Sequence, residues 1–489
     1  MTKYKEFNII NNKQYNSLSK AECLMFSALQ GLASKTESLI YCIANNFNDI
    51  KFEPLAAKLW LSDFEIPKVY FDDTIEIIKK YKNINEYILC DTTKNPDSAN
   101  IATTLSGITG ALPVDKSLEE LFIKLKYKKL IDVSTFRMID FLKDYVHEYN
   151  HNQVVELSPT IFWGPRDFAV ASKTPVIYGQ EQRDFLLNQL STSSPVYGWG
   201  PVTQDGEKEF ITNVSQYGDY YVAADCAFNL TALSQMDVRP LSCPPDISTT
   251  DDSASNDKAQ TDDKKYVAFV MSDGDNLQWL LNRGNYTGWW GSPYRGLVPI
   301  GWTFSPSLYD LAPSVWNYYI ESLSDNDEVI CGASGIGYVF EDISKTKKFS
   351  EFLKKTDAFL GQANINTVAI FGNQYPCETY LKGYTGLKNV DGVIYTSYSP
   401  WVVPQNKNIY NYDGKYIIPQ NLDLSGNPDQ IINTIKTGNS KFYMIYVNAW
   451  GNTNDPMSSV YSVYKSLKDQ KDIVFMKPSK MFNIFKSTK

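Results

Sequence analysis

Residues 266–290 read YVAFVMSDGDNLQWLLNRGNYTGWW, and how this stretch is read decides the fold of the C-terminal half. Tyr266–Met271 is a short apolar run rich in β-branched and aromatic residues, the signature of a buried strand. It stops in Ser272-Asp273-Gly274-Asp275-Asn276; Leu277–Asn282 then reads as helix, with Gly284 placed to end it. A strand closing in two carboxylates and an amide, just ahead of a helix, sets acidic groups at the strand's carboxyl end. Ligands gather there in barrels and in open α/β sheets. A plainer account stands beside this one, because Asp275 or Asn276 also makes a good N-cap and Gly274 a good turn residue. Capping explains one polar group and leaves the run of three unexplained.

Downstream the pattern alternates between strand and helix. Strands are predicted at Val267–Met271, Val298–Phe304, Val329–Gly332, Thr367–Phe371, Gly392–Thr396, Tyr416–Pro419, Phe442–Val447 and Ile473–Met476. Helices are predicted at Ser314–Leu323, Phe349–Leu360, Asp429–Ile435 and Ser459–Leu467. Eight strands in roughly 225 residues suit a small (β/α) barrel, irregular or reduced to seven strands. Polar or aromatic groups close most of these strands: Asp273 and Asp275, Ser305, Gly335–Tyr338, Asn373 and Gln374, Ser397 and Tyr398, Asn421, and Asn448 with Trp450. A catalytic face at the carboxyl end of a barrel requires that convergence.

Upstream, residues 244–265 (PPDISTTDDSASNDKAQTDDKK, 244–265) are polar and acidic, with one Ile as the only large apolar residue, and read as a flexible linker or loop. Residues 153–243 form a middle α/β domain, with strands at Pro175–Gly179 and Tyr220–Ala224. Residues 1–152 form an N-terminal α/β region of one or two small domains. Its strands are predicted at Leu39–Ala44 and Tyr87–Cys90, and its helices at Leu55–Leu61, Thr74–Tyr81, Leu118–Lys126 and Arg137–Tyr149. The fold class is therefore α/β: small N-terminal lobes followed by a barrel-like domain over 266–489.

Composition narrows the function. The 489 residues are 43% hydrophobic and 21% charged, with a net charge of −8, which argues against nucleic acid or an anionic membrane as partner. Seven scattered cysteines without a CxxC suit free buried thiols better than disulfides or zinc. The N-terminus has no apolar core of a signal sequence, which reads as cytoplasmic; a leader trimmed upstream would make the protein secreted. The two histidines, His147 and His151, fall at the end of one predicted helix, away from the acidic stretch. Serine–histidine and cysteine–histidine engines are thereby disfavoured, and the chemistry falls to carboxylates, tyrosines, amides or an oxygen-bound cation. Seven of ten tryptophans follow residue 265. Most aromatics pack cores, but Trp289 and Trp290, flanked by Gly288 and Gly291, read as a loop able to stack on a sugar.

The segment GASGIGYVFE (332–341), with VMSDGDNLQW (270–279), resembles the GxGYxYP family of putative glycoside hydrolases. LCDTTKNPDSANIATTLSGITGAL (89–112), RDFAVA (166–171), SPVYGWG (194–200) and AADCAFNLTALS (223–234) are similar to its N-terminal regions. The resemblance implies several small domains ahead of a larger C-terminal one, and a carbohydrate-related role. The chain departs from the namesake motif at Phe340, in place of the second Tyr, and at Glu341, in place of Pro. Apart from the family, Gly335 and Gly337 permit positive φ or a close backbone approach. They either present Tyr338 beside the acidic strand end or make a strained turn with Tyr338 in the core.

Two carboxylates suffice for glycoside hydrolysis. The candidates are Asp273 and Asp275, with Glu341 or Glu378 from the opposite side. Asn276, Tyr338, Trp289, Trp290, Trp401, Asn448 and Trp450 are the candidate substrate contacts. Asp273 and Asp275, with Asn276, could equally hold Ca²⁺ or Mg²⁺; no other cofactor is implied. The ligand expected is a small molecule or an oligosaccharide. A carbohydrate-binding protein without turnover, or an enzyme acting on a non-carbohydrate substrate through the same acidic pocket, are the alternatives.

Overall fold

The computed structural model describes residues 4–11, 16–43, 55–62, 64–71, 73–204, 206–245, 264–373, 375–397, 408–449 and 455–487. The acidic stretch predicted as a linker therefore lies almost wholly outside the described residues, as do Trp401 and Trp450. The chain divides into two compact units, Met1–Arg239 with Asp310–Val315, and Pro240–Tyr309 with Trp316–Lys489. Among the described residues no helix is long and apolar enough to cross a membrane.

The first unit carries three small parallel sheets. β1 (Glu6–Ile10), β2 (Ser38–Cys42) and β3 (Lys68–Tyr70) lie in the order β2-β1-β3. β4 (Glu86–Cys90), β5 (Leu112–Asp115) and β6 (Lys128–Asp132) lie in the order β5-β4-β6. β7 (Val154–Glu156), β8 (Val176–Ile177), β9 (Pro195–Gly198) and β10 (Tyr220–Ala223) lie in the order β10-β9-β7-β8. The helices Lys20–Ala33, Ser98–Thr109 and Arg166–Ser172 pack on one another. They do so at short range because Gly31 offers no side chain: a Cβ there would fall 2.4 Å from the Asp167 carbonyl oxygen. The helix Lys20–Ala33 was absent from the sequence prediction, although Ser19 and Glu22 close a reciprocal capping box at its start. Its buried run of Cys, Met, Phe and Leu with small residues follows no amphipathic stripe, because it is packed on nearly every side. The predicted helix Arg137–Tyr149 spans only Met138–Asp144, leaving His147 and His151 in the turns beyond.

The second unit is built on one large sheet. Its strands are β11 (Lys265–Met271), β12 (Ile300–Phe304), β13 (Asp327–Cys331), β14 (Thr367–Gly372), β15 (Gly392–Ser397), β16 (Tyr410–Tyr412), β17 (Lys415–Pro419), β18 (Leu422–Leu424), β19 (Phe442–Val447) and β20 (Ile473–Phe475). The order is β16-β17-β15-β14-β13-β12-β11-β19-β18, with β20 beside the start of β11. Every pairing is parallel except β16 with β17. All eight predicted strands have counterparts here. The three-residue β16 and β18 are too short to leave a period in the sequence, and they end the sheet on either side. Among the described residues the sheet is thus an open, ten-stranded one rather than a closed ring of seven or eight strands. Tyr266, Ala268, Val270, Ile330, Ala369, Ile394, Ile418 and Met444 from six strands share one core with Met481 and Phe482 of the helix Pro478–Ser487.

Candidate active site at the carboxyl ends of the C-terminal strands

Residues two apart on a strand share a face. Two positions beyond the core residues Val270, Ala369, Ile394, Ile418 and Met444 stand Ser272, Phe371, Thr396, Gln420 and Tyr446. The inner face of the sheet therefore turns from aliphatic to polar and aromatic at its carboxyl end. Thr396, only 5% exposed, keeps its hydroxyl there without a hydrogen-bond partner.

The turn after β11 is laced to both neighbouring strands. Thr303 Oγ1 donates to the Met271 carbonyl at 2.9 Å, and Ser272 N donates to Val447 O at 3.0 Å. Ala449 N donates to Ser272 Oγ at 2.9 Å, and that hydroxyl in turn donates to Asp273 Oδ2. Asp273 sits in the left-handed region at φ +67°, and a Cβ on Gly274 would fall 1.7 Å from Thr303 O. Gly274→Ala is accordingly expected to destabilise the protein by roughly 1–3 kcal/mol, from forced backbone displacement. An unchanged denaturation midpoint would show that the turn has room to relax.

Asp273 and Asp275 are half-buried at this strand end. Asn276 occupies the N-cap position of the helix Leu277–Asn282 with extended backbone, yet its side chain caps nothing. Its Oδ1 is buried and without a partner. Helix capping thus accounts for none of the amide's hydrogen-bonding capacity, and a buried acceptor left open has to be explained otherwise.

Across β11, Tyr446 of β19 pairs in register with Val270 on one side and with Asp423 of β18 on the other. Burial, and then the negative charges of Asp273, Asp275 and Asp423, hold its phenol well above the usual range, opposed by the Ser272 side chain. One phenol therefore stands within electrostatic reach of three carboxylates. Asp423 accepts a hydrogen bond from Ser425 Oγ at 2.6 Å, and burial pushes its carboxyl above the ordinary carboxylate value.

The turn after β13 reaches the same cluster through rings. Ser334 and Gly335 have φ of +62° and +104°, and a Cβ on Gly335 would lie 2.5 Å from Thr356 Oγ1. The turn leaves Tyr338 half-buried, its ring 5.3 Å from Phe371, which lies 6.3 Å from Tyr446. Asn448, half-buried beyond β19, donates its N–H to Leu424 O at 3.2 Å.

Trp289, Trp290 and Glu378 are engaged in other contacts, and Glu341 stands beside Asn373, the residue that follows β14. Trp289 and Trp290 are 0% and 2% exposed, not a stacking surface. Both rings pack edge-on against Trp302, at 4.9 and 5.0 Å, and Trp290 also meets Tyr319 at 5.2 Å. Their glycine flanks do mark a loop, but one folded onto an aromatic core. Glu378 is exposed in the first turn of the helix Glu378–Thr385, where it pairs with Lys382 at 2.8 Å, the usual i,i+4 surface pairing. Glu341 is buried, with Oε1 accepting from Asn373 Nδ2 and Oε2 from Cys377 N at 2.8 Å, so both oxygens brace loops. Among the described residues no three His, Cys, Asp or Glu side chains converge as a metal site; Ca²⁺ or Mg²⁺ at Asp273 and Asp275 would lean on amide and backbone oxygens.

Sequence reasoning missed Asp423, Tyr446 and Thr396. Asp423 lies between two leucines in a strand too short to be recognised, and Tyr446 looks like one more core aromatic in FYMIYV (442–447).

Parallel strands with helices between them, and acidic groups at their carboxyl ends, define an α/β architecture of the kind that carries enzyme sites. Residues 263–486 match the domain described as GxGYxYP putative glycoside hydrolase C-terminal domain, and residues 151–235 match the GxGYxYP third domain. The two matches span more than half of the chain, which belongs to the GxGYxYP family. The crystal structure of a protein from Bacteroides thetaiotaomicron VPI-5482, described as a putative hydrolase, has a similar fold. The TM-score is 0.83 with 22% identity, over 99% of this chain and 95% of that one. No curated protein matches the chain.

Proposed function

We propose that the chain is a glycoside hydrolase whose chemistry runs on Asp273, Asp275 and Asp423. The observation that supports this reading is that Asp423 pairs in register with Tyr446, whose phenol also feels the charges of Asp273 and Asp275 at the carboxyl end of the sheet. Glycosidic cleavage needs one carboxyl that keeps its proton to give to the leaving oxygen, and one carboxylate that acts at the anomeric centre or on its attacking water. The environments divide the roles: burial favours the protonated form of Asp423, which becomes the general acid. Asp273 or Asp275 is the charged partner. Tyr446 orients the acid, the open Asn276 Oδ1 accepts from a sugar hydroxyl, and Tyr338 with Phe371 offers an aromatic wall. The family description points the same way.

The test is turnover of a panel of 4-nitrophenyl and 2,4-dinitrophenyl glycosides by the wild type and by Asp423→Asn. The variant should lose about 10²-fold or more on the poorer leaving group. It should retain most activity on the dinitrophenyl substrate, which departs without a proton. Its rate should also no longer fall on the basic side, where the wild type loses the Asp423 proton. Equal losses on both substrates would remove Asp423 from the acid role, and no turnover of any glycoside would sink the hydrolase reading.

A further inference from the structure

The first unit holds a cleft of about 710 Å³ at the carboxyl ends of β4, β5 and β6. In the order β5-β4-β6 the chain leaves the central β4 for one flank and then crosses to the other. Ligand crevices of open parallel sheets form at such a switch point, outside the carboxyl ends of the strands, and the volume is that of a small-molecule site.

The loops around the cleft are stitched together in advance. Thr92 N and Oγ1 donate to Asp115 Oδ2 at 3.0 and 2.7 Å, tying the β4 loop to the end of β5. Asn95 Nδ2 donates to Phe136 O at 2.9 Å, tying it to the loop after β6. Ser98 Oγ donates to Asn95 O at 2.6 Å, and Lys94 N donates to Asp91 Oδ1 at 3.0 Å. These bonds consume Asp91 and Asp115 in holding the frame.

What the frame presents is less engaged. Asp97 sits at the N-cap position of the helix Ser98–Thr109, but its side chain caps nothing. Ser134 lies in the lining beside Asp132, which accepts from its N–H at 2.9 Å. Among the described residues neither Lys94 nor Lys116 is in an ion pair, whereas Arg137 lies 3.4 Å from Asp140 on the exposed side. The lining carries three cations, Lys94, Lys116 and Arg137, against four carboxylates, Asp91, Asp97, Asp132 and Glu181, with the ring of Phe136 among them. Near-balanced charge gives a strongly ionic ligand no net attraction. Donors and acceptors lining the same cleft as an aromatic ring match a ligand that both gives and accepts hydrogen bonds and carries C–H faces. We propose that this cleft is a second ligand site, built for a neutral oligosaccharide and independent of the carboxylate cluster in the other unit.

The experiment uses the full chain carrying Asp273→Asn, titrated calorimetrically with neutral hexasaccharides of the cello-, malto-, xylo-, manno- and N-acetylchito- series. At least one should bind, and Phe136→Ala and Arg137→Ala should each weaken that binding about tenfold or more at unchanged melting temperature. Phe136→Tyr, which keeps the stacking face, should retain it. In the otherwise wild-type chain, Phe136→Ala should leave turnover of the aryl glycosides as it was. Binding of no panel sugar, binding indifferent to Phe136 and Arg137, or tighter binding of glucuronate or inorganic phosphate than of any neutral sugar would each overturn the proposal. Failure of the hydrolase reading shows separately, as absent turnover with the binding at Phe136 intact.

Discussion

Asp273→Asn and Asp275→Asn, made singly, are expected to lower kcat/KM on any glycoside the wild type cleaves by about 10²–10⁴-fold, the contribution of positioned acid–base and charged groups. Folding should not suffer. Both carboxylates act on Tyr446 through their charge, as Asp423 does, and removing one of several like charges eases repulsion, so the melting temperature should stay near wild type. Asparagine keeps the size and one acceptor oxygen, which can still take the bond from the Ser272 hydroxyl. A double His147→Gln, His151→Gln variant supplies the contrast. His147 is exposed, and His151 Nε2 lies 2.6 Å from Val146 O within the first unit. Turnover there should stay near wild type, and the pH profile should keep limbs set by coupled carboxylates rather than by an imidazole. A dead histidine variant beside active, folded aspartate variants would take the chemistry away from residues 273–276.

A second large effect is expected in stability rather than turnover. Asp167 is 1% exposed; its Oδ2 accepts from Thr231 N at 2.9 Å, and hydrogen bonds from Thr231 and Phe168 oppose burial only in part. The adjacent Arg166 gives no relief, since its guanidinium donates to Ile161 O, Thr103 Oγ1 and Asn100 Oδ1. Burial raises the Asp167 carboxyl from 3.8 to about 6. The unfolded chain releases this proton near pH 4, whereas the folded chain holds it to about pH 6. Between those values the native state binds more protons, so stability falls as pH rises, by about 3 kcal/mol in all, and is flat on either side. Asp167→Asn has no proton to lose. The difference in unfolding free energy between variant and wild type should therefore shift by about 2 kcal/mol in the variant's favour from pH 4 to pH 7, since part of the effect already lies below pH 4. Urea titrations at both pH values measure it, and a difference independent of pH would show that Asp167 ionises normally.

What could be read in the sequence was local. The apolar run ending in DGDN placed the central strand β11, and the helix Leu277–Asn282 fell where Asn276 and Gly284 bracket it, because strand, turn and helix signals act over a few residues. The α/β class and the family likeness came from the same kind of signal, and Ser19 with Glu22 would have yielded the missing helix Lys20–Ala33. Tertiary structure decided the rest. Trp289 and Trp290 are buried because Trp302 and Tyr319, distant in sequence, close over them. Glu378 faces solvent because of where its helix lies. Asp423 reaches the cluster only because β19, which follows β18 in the chain, is laid between β18 and β11 in the sheet. Spacing along the chain carries a residue's local conformation. Which carboxylates share one phenol depends on strand order, and strand order is set by the whole core packing at once.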